Sequence, residues 1–278
     1  MHRRRGGVVP VTETYVAAGG QRIRVRVKQG TGVPLVLCNG IGASLEVLDP
    51  LVDALDADRT VIQFDVPGTG GSPASVAPYG FPYLAWVLGR VLTKLGYDVV
   101  DVLGLSWGGA LAQQFAFQNP RRCRRLVLVA TGTGVLMVPG NPRVLSKMLT
   151  PRRFSDPKYA STIARELYGG AVRHHEGDIE KLFKGQLHAG SRVGYLHQLL
   201  AGSVWTSLFA LPAIRQETLI IAGEDDPIIP LANARIMNRL LPHSRVHLHD
   251  GGHVDLVLNA SELAPVITSF LNDPGERP

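Results

Sequence analysis

The segment Gly104-Leu105-Ser106-Trp107-Gly108-Gly109 decides the fold of this 278-residue chain. It follows the apolar run 99–103 and precedes a helical pattern over 110–118. A strand-to-helix turn that exposes a serine is so sharp that small residues must flank it, and here glycines stand on both sides. The pattern predicts that Ser106 Oγ rises clear of a sheet at a helix N-terminus, where backbone N–H groups favour negative charge. A glycine-rich turn without chemistry is the alternative.

Two later turns supply a carboxylate and a histidine in the order that α/β-hydrolases use. Gly223-Glu224-Asp225-Asp226 follows the apolar run 218–222, and Asp250-Gly251-Gly252-His253 follows the run 245–249. The order serine, acid, histidine differs from that of the chymotrypsin and subtilisin types. We therefore expect His253 to act as the general base for the serine, with a carboxylate that orients the imidazole.

Asp225 and Asp226 compete for the role of the acid, since two adjacent carboxylates cannot both face one imidazole. The spacing of three residues after Gly223 favours Asp226, and Asp225 is interpreted as a turn or surface acid. Other histidines are expected to fill gaps or lie at the surface. These are His247 and His249 in a strand, and His174, His175, His188 and His197 in an inserted segment.

An acyl-transfer site also needs two donors for the negatively charged oxygen of its intermediate. The backbone N–H of Trp107, directly after the serine, is the first candidate. The second is the N–H of Ile41, because Asn39-Gly40-Ile41-Gly42 directly follows an apolar run that ends at Cys38. Glycines that only form a turn are the alternative. We further expect Asn39, Gly40 and Trp205 to contact the substrate.

Short apolar runs alternate with helical patterns along most of the chain. Residues 14–27 predict an edge β-hairpin around Gly19-Gly20. Nearly continuous apolar runs are typical of strands buried on both faces, and so of a parallel sheet. The runs are 33–38, 60–64, 99–103, 126–130, 218–222 and 245–249, and the helical patterns are 45–55, 83–95, 110–118, 231–241 and 263–271. The predicted fold is the α/β-hydrolase fold, a mostly parallel central sheet flanked by helices.

The stretch between the two groups of strands lacks this alternation and carries helix-like patterns at 159–168 and 179–187. We predict a helical cap at 133–210, inserted between core parts 1–132 and 211–278. It would lie above the carboxyl ends of the strands, where open α/β sheets bind ligands. Its apolar side chains, together with Trp107, either line a path to the serine or pack as core, and packing is favoured for the aromatic side chains of the cap. The side chains considered are Trp107, Phe154, Leu199, Leu200, Trp205 and Phe209.

The composition excludes several classes of protein. The chain is 45% hydrophobic and 19% charged, as globular proteins are, and no apolar run reaches the roughly 18 residues of a transmembrane helix. No apolar signal-peptide stretch follows Arg3-Arg4-Arg5, and two cysteines, Cys38 and Cys123, are too few for a disulfide framework. We expect a cytoplasmic protein with two buried, inert thiols. The net charge of +6 and the basic clusters at 121–125 and 152–153 are interpreted as solvated surface, since no nucleic-acid motif accompanies them.

Seven segments share the pattern of one family: NGIGA at 39–43, DVPGTGGS at 65–72, SWGGALAQQF at 106–115, VPGNP at 138–142, PRR at 151–153, DPIIP at 226–230 and GH at 252–253. They resemble intracellular medium-chain-length polyhydroxyalkanoate depolymerases over nearly the whole chain. The resemblance implies an acyl-enzyme hydrolase that acts on granules of 3-hydroxy acid polyester. Ser106 would be its nucleophile, Asp226 its orienting acid and His253 its base. It implies no cofactor and no metal.

Other functions stay open at the level of sequence. The same three residues would also serve a small soluble ester or lactone, or the C–C bond of a dienoate. A non-catalytic receptor on this fold is a further alternative, because a fold and a pocket do not by themselves prove turnover. The intact set of serine, aspartate and histidine argues against the receptor.

Overall fold

The computed structural model describes residues 10–152, 156–173 and 190–274. Their strands are β1 (Val11–Ala18), β2 (Gln21–Lys28), β3 (Thr31–Cys38), β4 (Arg59–Phe64), β5 (Val100–Leu105), β6 (Cys123–Val129), β7 (Glu217–Gly223) and β8 (Ser244–His249). Within these described ranges they form one eight-stranded sheet in the order β1-β2-β4-β3-β5-β6-β7-β8. β1 and β2 form the predicted edge hairpin, β2 also pairs antiparallel with β4, and the other neighbours are parallel.

Helices cover both faces of the sheet. In the described ranges they are α1 (Asp49–Ala54), α2 (Phe81–Lys94), α3 (Trp107–Gln118), α4 (Pro142–Ser146), α5 (Pro157–Tyr168), α6 (Arg192–Val204), α7 (Ala232–Leu240), α8 (Asp255–Leu258) and α9 (Ala260–Asn272). Successive strand residues point to opposite faces. In β3, Val36 therefore packs into the core that includes α2, α3 and α7, while Leu35 and Leu37 pack into the core that includes α1 and α9. None of these helices is long and apolar enough to cross a membrane.

The structure confirms the predicted α/β-hydrolase sheet, since each apolar run overlaps a strand. The prediction of a single helix over 45–55 is wrong. The chain forms a 3₁₀ turn at Leu45–Leu48, and α1 then begins anew with Pro50 in its first turn, where a missing N–H is tolerated. α6 is not predicted from the sequence, and the pattern at 179–187 lies outside the described residues.

Between β6 and β7 the chain leaves the sheet and forms α4, α5, a 3₁₀ turn at Gly170–Arg173 and α6. We call residues 130–216 the β6–β7 segment. Its two ends meet, because Gly134 and Thr206 form an antiparallel bridge and the Val135 N–H donates to the Trp205 carbonyl oxygen at 2.8 Å. The first turn of α6 packs on the loop after β4, where a Cβ on Gly68 would lie 2.4 Å from the Cα of Gly194. The cap boundaries at 133 and 210 stay a prediction.

The interpretation of 121–125 as solvated surface is wrong for Arg125, whereas Arg124 is exposed but paired with a buried carboxylate. Arg125 is 6% exposed, and its guanidinium donates to the backbone carbonyls of Phe270 and Asp273 at the end of α9. Arg124 donates twice to the fully buried carboxylate of Asp101, from Nε to Oδ1 at 2.8 Å and from Nη2 to Oδ2 at 2.6 Å. Both arginines belong to β6, which begins three residues before its apolar run.

We expect Asp101→Ala to lower the free energy of unfolding by about 3 kcal/mol, because it leaves the Arg124 guanidinium without its buried partner. This value is at the low end for buried ion pairs, since the Arg124 side chain is 36% exposed. Urea unfolding measures the change. Asp98→Ala, which truncates an exposed carboxylate, is the control and should stay within about 0.5 kcal/mol of the wild type. Equal losses in both variants would contradict this role of Asp101.

Candidate active site

Ser106 lies in a strained turn between the end of β5 and the start of α3. Its backbone has φ 54° and ψ −118°, and non-glycine residues rarely adopt a positive φ. The Ser106 N–H donates to the Val129 carbonyl oxygen at 2.9 Å, and Thr131 Oγ1 donates to the Ser106 carbonyl oxygen at 2.7 Å. Strain of this kind, of order 1 to 3 kcal/mol, persists only where neighbouring contacts fix it, and it clusters at functional sites.

Three glycines around the serine are needed for steric reasons. A Cβ on Gly104 would lie 2.4 Å from the Gly108 carbonyl oxygen, and one on Gly109 would lie 2.4 Å from Thr131 Oγ1. A Cβ on Gly108 would lie only 2.1 Å from the Cys38 carbonyl oxygen. The Gly108 contact brings the start of α3 against the end of β3, and so brings the loop after β3 next to the serine.

Ser106, His253 and Asp226 form one hydrogen-bonded chain. His253 Nε2 lies 2.9 Å from Ser106 Oγ, and His253 Nδ1 lies 2.8 Å from Asp226 Oδ2. The other carboxylate oxygen, Asp226 Oδ1, accepts the N–H groups of Ile228 at 2.8 Å and Ile229 at 2.9 Å, which leaves Oδ2 for the imidazole. Such a chain can transfer the serine proton to the histidine while the buried carboxylate stabilises the charged imidazole.

Asp225 faces away from this chain. Its carboxylate pairs with Arg173, with 2.7 Å between Nε and Oδ2, and it accepts the Gly170 N–H at 2.7 Å. The His253 N–H donates to the Tyr168 carbonyl oxygen at 2.8 Å. The C-terminal end of α5 and the turn after it therefore hold both the aspartate loop and the histidine loop.

The loop after β3 lies beside the serine. A Cβ on Gly40 would lie 3.9 Å from the Cβ of Ser106. The Asn39 side chain is bound within its own loop, because Oδ1 accepts the Gly40 N–H at 2.9 Å and Nδ2 donates to the Ser44 carbonyl oxygen at 2.6 Å. Asn39 and Gly40 thus shape the loop, and neither is part of the cavity wall described below.

Two backbone N–H groups near the serine lack a hydrogen-bond acceptor among the residues that the structure describes. Gly42 donates its N–H to Gln198 Oε1 at 2.9 Å, but the preceding Ile41 N–H meets no acceptor within the described part of the chain. The Trp107 N–H belongs to the first residue of α3, where helical N–H groups have no intrahelical acceptor. Both groups can donate to a negatively charged oxygen.

An apolar cavity of about 310 Å³ opens beside Ser106. A volume of this size is at the lower end for small-molecule sites. Its wall comes from the start of α3, the stretch after β6 and the end of α6, and includes Trp107, Ala110, Val135, Gly202 and Trp205. Trp205 is buried, packs on Phe81 with ring centroids 4.9 Å apart, and donates its Nε1–H to Gln114 Oε1 at 2.6 Å.

Several sequence candidates lie away from this cavity. Leu200 and Phe209 are exposed, so they neither line the cavity nor pack as core, and Phe154 lies outside the described residues. His197 is buried in α6 against the ring of Tyr79. His247 and His249 lie in β8, and His174, His175 and His188 lie outside the described residues. Cys38 and Cys123 are both buried, and burial raises the pKa of each thiol.

Sequence reasoning missed two residues that support the site, Thr131 and Gln198. Thr131 follows β6, so its place at the carboxyl end of a strand next to β5 is a signal that could have found it. Gln198 lies in a helix that the sequence does not predict and belongs to no motif. The described ranges contain no group of three or more His, Cys, Asp or Glu side chains that could hold a metal ion.

Known proteins resemble this chain in sequence and fold. The alpha/beta hydrolase fold family model matches residues 33–260. A poly(3-hydroxyalkanoate) depolymerase of Ectopseudomonas oleovorans is 45% identical over 94% of this chain and 93% of its own length. A 2-hydroxy-6-oxo-2,4-heptadienoate hydrolase of Pseudomonas putida is 29% identical over 84% and 86%. The enol-lactonase structure from Burkholderia xenovorans matches with a TM-score of 0.80 over 94% of this chain and 100% of that chain, and at 21% identity the likeness is one of fold.

We expect Asp226→Asn to lower kcat for p-nitrophenyl butyrate by about 10⁴-fold. The N–H groups of Ile228 and Ile229 would retain the amide oxygen, so the amide nitrogen would face His253 Nδ1. The imidazole would then carry its proton on Nε2 and could not accept the serine proton. Asp225→Asn is the matched control and should keep the wild-type kcat. The reverse ranking of these two variants would make Asp225 the acid of the triad.

Proposed function

The chain belongs to the alpha/beta hydrolase fold family, and on this premise we propose that it is a serine hydrolase that cleaves the ester bonds of poly(3-hydroxyalkanoate). The observation that carries the proposal is the hydrogen-bonded chain from Ser106 through His253 to Asp226 beside an apolar cavity. The relative that is 45% identical and named a poly(3-hydroxyalkanoate) depolymerase supports the choice of substrate.

In the proposed reaction, Ser106 Oγ attacks the ester carbonyl carbon while His253 Nε2 accepts the hydroxyl proton and Asp226 holds the imidazole in place. The N–H groups of Ile41 and Trp107 stabilise the negative charge on the former carbonyl oxygen. The intermediate collapses to an acyl-enzyme, and His253 gives its proton to the leaving alcohol. Water then attacks the acyl-enzyme with His253 as base, which releases the acid and restores Ser106.

We propose that residues 133–210 form a cap above the serine, and that the cavity below this cap takes the alkyl side chain of the hydroxyacyl unit. The apolar lining suits an alkyl chain, because burying apolar surface is favourable in proportion to its area. Trp205 would contact that chain directly. Asn39 and Gly40 would act on the substrate only through the shape of the loop that carries Ile41.

One face of α6 carries an exposed apolar stripe. Its members follow the spacing of one helix face and are each more than two-fifths exposed: Val193, Leu196, Leu200 and Val204. The same helix supplies Gly202 and Ser203 to the cavity wall, so the stripe and the cavity lie on one element. We propose that the stripe rests on the surface of a polyester granule, and that the protein works in the cytoplasm on such granules. The two buried, unpaired cysteines suit a reducing compartment.

We expect Ser106→Ala to lose at least about 10⁴-fold in kcat, because the triad acts as one unit. The assay measures release of 3-hydroxy acids from emulsified medium-chain polyhydroxyalkanoate and of p-nitrophenol from esters between acetate and dodecanoate. Circular dichroism verifies that the variant is folded. Substantial residual turnover by the folded variant would contradict the role of Ser106.

The substrate range of the wild type separates the alternatives. Serine-dependent release from polymer and from the longer esters supports the depolymerase. Serine-dependent hydrolysis of short esters alone would move the substrate to a small ester or lactone. A wild type that hydrolyses none of these substrates would favour a non-catalytic receptor.

We expect the double variant Leu196→Ser/Leu200→Ser to cosediment less with purified granules than the wild type, because it removes apolar area from the stripe. Its rate on polymer should fall by more than its rate on p-nitrophenyl butyrate, which needs no granule surface. Val11→Ser/Val76→Ser is the matched control, since it removes two exposed apolar side chains outside α6. Equal amounts of both variants in the pellet would show that the stripe is not the docking face.

A further inference from the structure

A buried glutamine of α6 connects the β6–β7 segment to the loops around the serine. Gln198 is 1% exposed, its Oε1 accepts the Gly42 N–H at 2.9 Å, and its Nε2 donates to Thr69 Oγ1 at 2.7 Å. Its backbone carbonyl oxygen accepts the Nε1–H of Trp107 at 3.0 Å. One residue therefore binds the loop after β3, the loop after β4 and the residue that follows Ser106.

The partners fix the orientation of this amide. A backbone N–H can only donate, so the atom of Gln198 that faces Gly42 must be the amide oxygen. The amide nitrogen then faces Thr69, whose hydroxyl oxygen can accept. Buried polar atoms are costly unless they are hydrogen-bonded, and here both ends of the amide have a partner. The side chain is thus held in one position on the buried side of α6.

The bond to Gly42 acts on the turn that contains the proposed oxyanion donor. Within this turn the Ala43 N–H donates to the Gly40 carbonyl oxygen at 3.2 Å, and Gly42 has a φ of 73°, which favours glycine. Ile41 lies between these two glycines, and its N–H is the group that meets no acceptor in the described residues. Gln198 anchors the turn to α6 directly next to that group.

We propose that Gln198 is a positioning residue that keeps the Ile41 N–H directed at the negatively charged oxygen formed when Ser106 attacks the ester. The proposal rests on the serine hydrolase function proposed above. Misplacement of a reacting group by about 1 Å can cost about 10²-fold in rate. Because the negative charge develops only as the reaction proceeds, loss of the Gln198 bonds lowers kcat and leaves KM nearly unchanged.

The experiment compares Gln198→Met with Gln198→Glu on p-nitrophenyl butyrate. Methionine keeps the length of the side chain without either hydrogen bond, and we expect kcat to fall about 10- to 100-fold with little change in KM. At a position that is 1% exposed, burial favours the neutral carboxyl group of glutamic acid, whose carbonyl oxygen accepts the Gly42 N–H and whose hydroxyl donates to Thr69 Oγ1, as the amide does. Most of the wild-type kcat should therefore return in Gln198→Glu.

Tyr195→Phe is the control for a purely structural effect. It removes another hydrogen bond of the same helix, from the Tyr195 hydroxyl to the Met148 carbonyl oxygen. We expect Tyr195→Phe and Gln198→Met both to lower Tm, but only Gln198→Met to lower kcat. A loss of kcat that follows Tm across the two variants would overturn the positioning role.

The remaining outcomes separate this inference from the function on which it rests. Serine-dependent turnover by the wild type together with wild-type kcat in Gln198→Met, or with a change in KM alone, would overturn the inference and leave the hydrolase standing. A wild type without such turnover would overturn both. If Gln198→Met does not fold, Thr69→Val replaces it, because it removes only the partner of Nε2. That variant must lower kcat without raising KM, and an unchanged kcat would overturn the proposal.

Discussion

The contact between the start of α3 and the end of β3 is the constraint on which the site depends. Gly108 lies so close to the Cys38 carbonyl oxygen that no side chain fits between them. The loops after β3 and β5 consequently meet, and Gly40, next to the proposed donor Ile41, lies beside Ser106. At the end of β6 the Val129 carbonyl oxygen accepts the Ser106 N–H, and directly after β6 the Thr131 hydroxyl donates to the Ser106 carbonyl oxygen, so both hold the strained serine. The strained turn at Ser106 therefore depends on three neighbouring strands, β3, β5 and β6. The glycine motif only makes their close approach sterically possible.

The proposed acid and base depend on a second set of contacts, made by the ends of β7 and β8, the end of α5 and the turn after it. Two adjacent aspartates have opposite tasks because the turn directs their side chains to different neighbours. Asp225 binds Arg173 and fixes the loop to the β6–β7 segment, while Asp226 gives one oxygen to two backbone N–H groups and the other to His253. The imidazole is thus oriented by a carboxylate that is itself already immobilised, which limits the motion needed when the proton moves.

The sequence predicts the sheet and the serine turn because both follow from local patterns, namely apolar runs and flanking glycines. It predicts the chain order of serine, aspartate and histidine but not the contacts that separate Asp225 from Asp226, since the partners of Asp225 lie in the 3₁₀ turn after α5. No helix is predicted at α6, because its apolar Leu196 and Leu200 face outward while Gln198 faces inward. This is the reverse of the pattern that predicts a surface helix. The start of β6 at Cys123 cannot be predicted from the local sequence either, because its arginines are paired with residues distant in sequence.

α6 combines the two features of the proposed function that no motif encodes. Its outer face carries the apolar stripe, and its inner face carries Gln198 beside the turn at 40–43, which contains the proposed oxyanion donor Ile41. The helix has 13 residues and is hydrogen-bonded internally along its backbone. The contact between Gly68 and Gly194 has no side chain that could absorb a shift, and a displacement of α6 must therefore move the neighbouring loop as well. We therefore propose that docking of the stripe on a polymer surface and alignment of the Ile41 N–H are coupled through this helix, and we expect substitutions on its two faces to act non-additively on polymer hydrolysis.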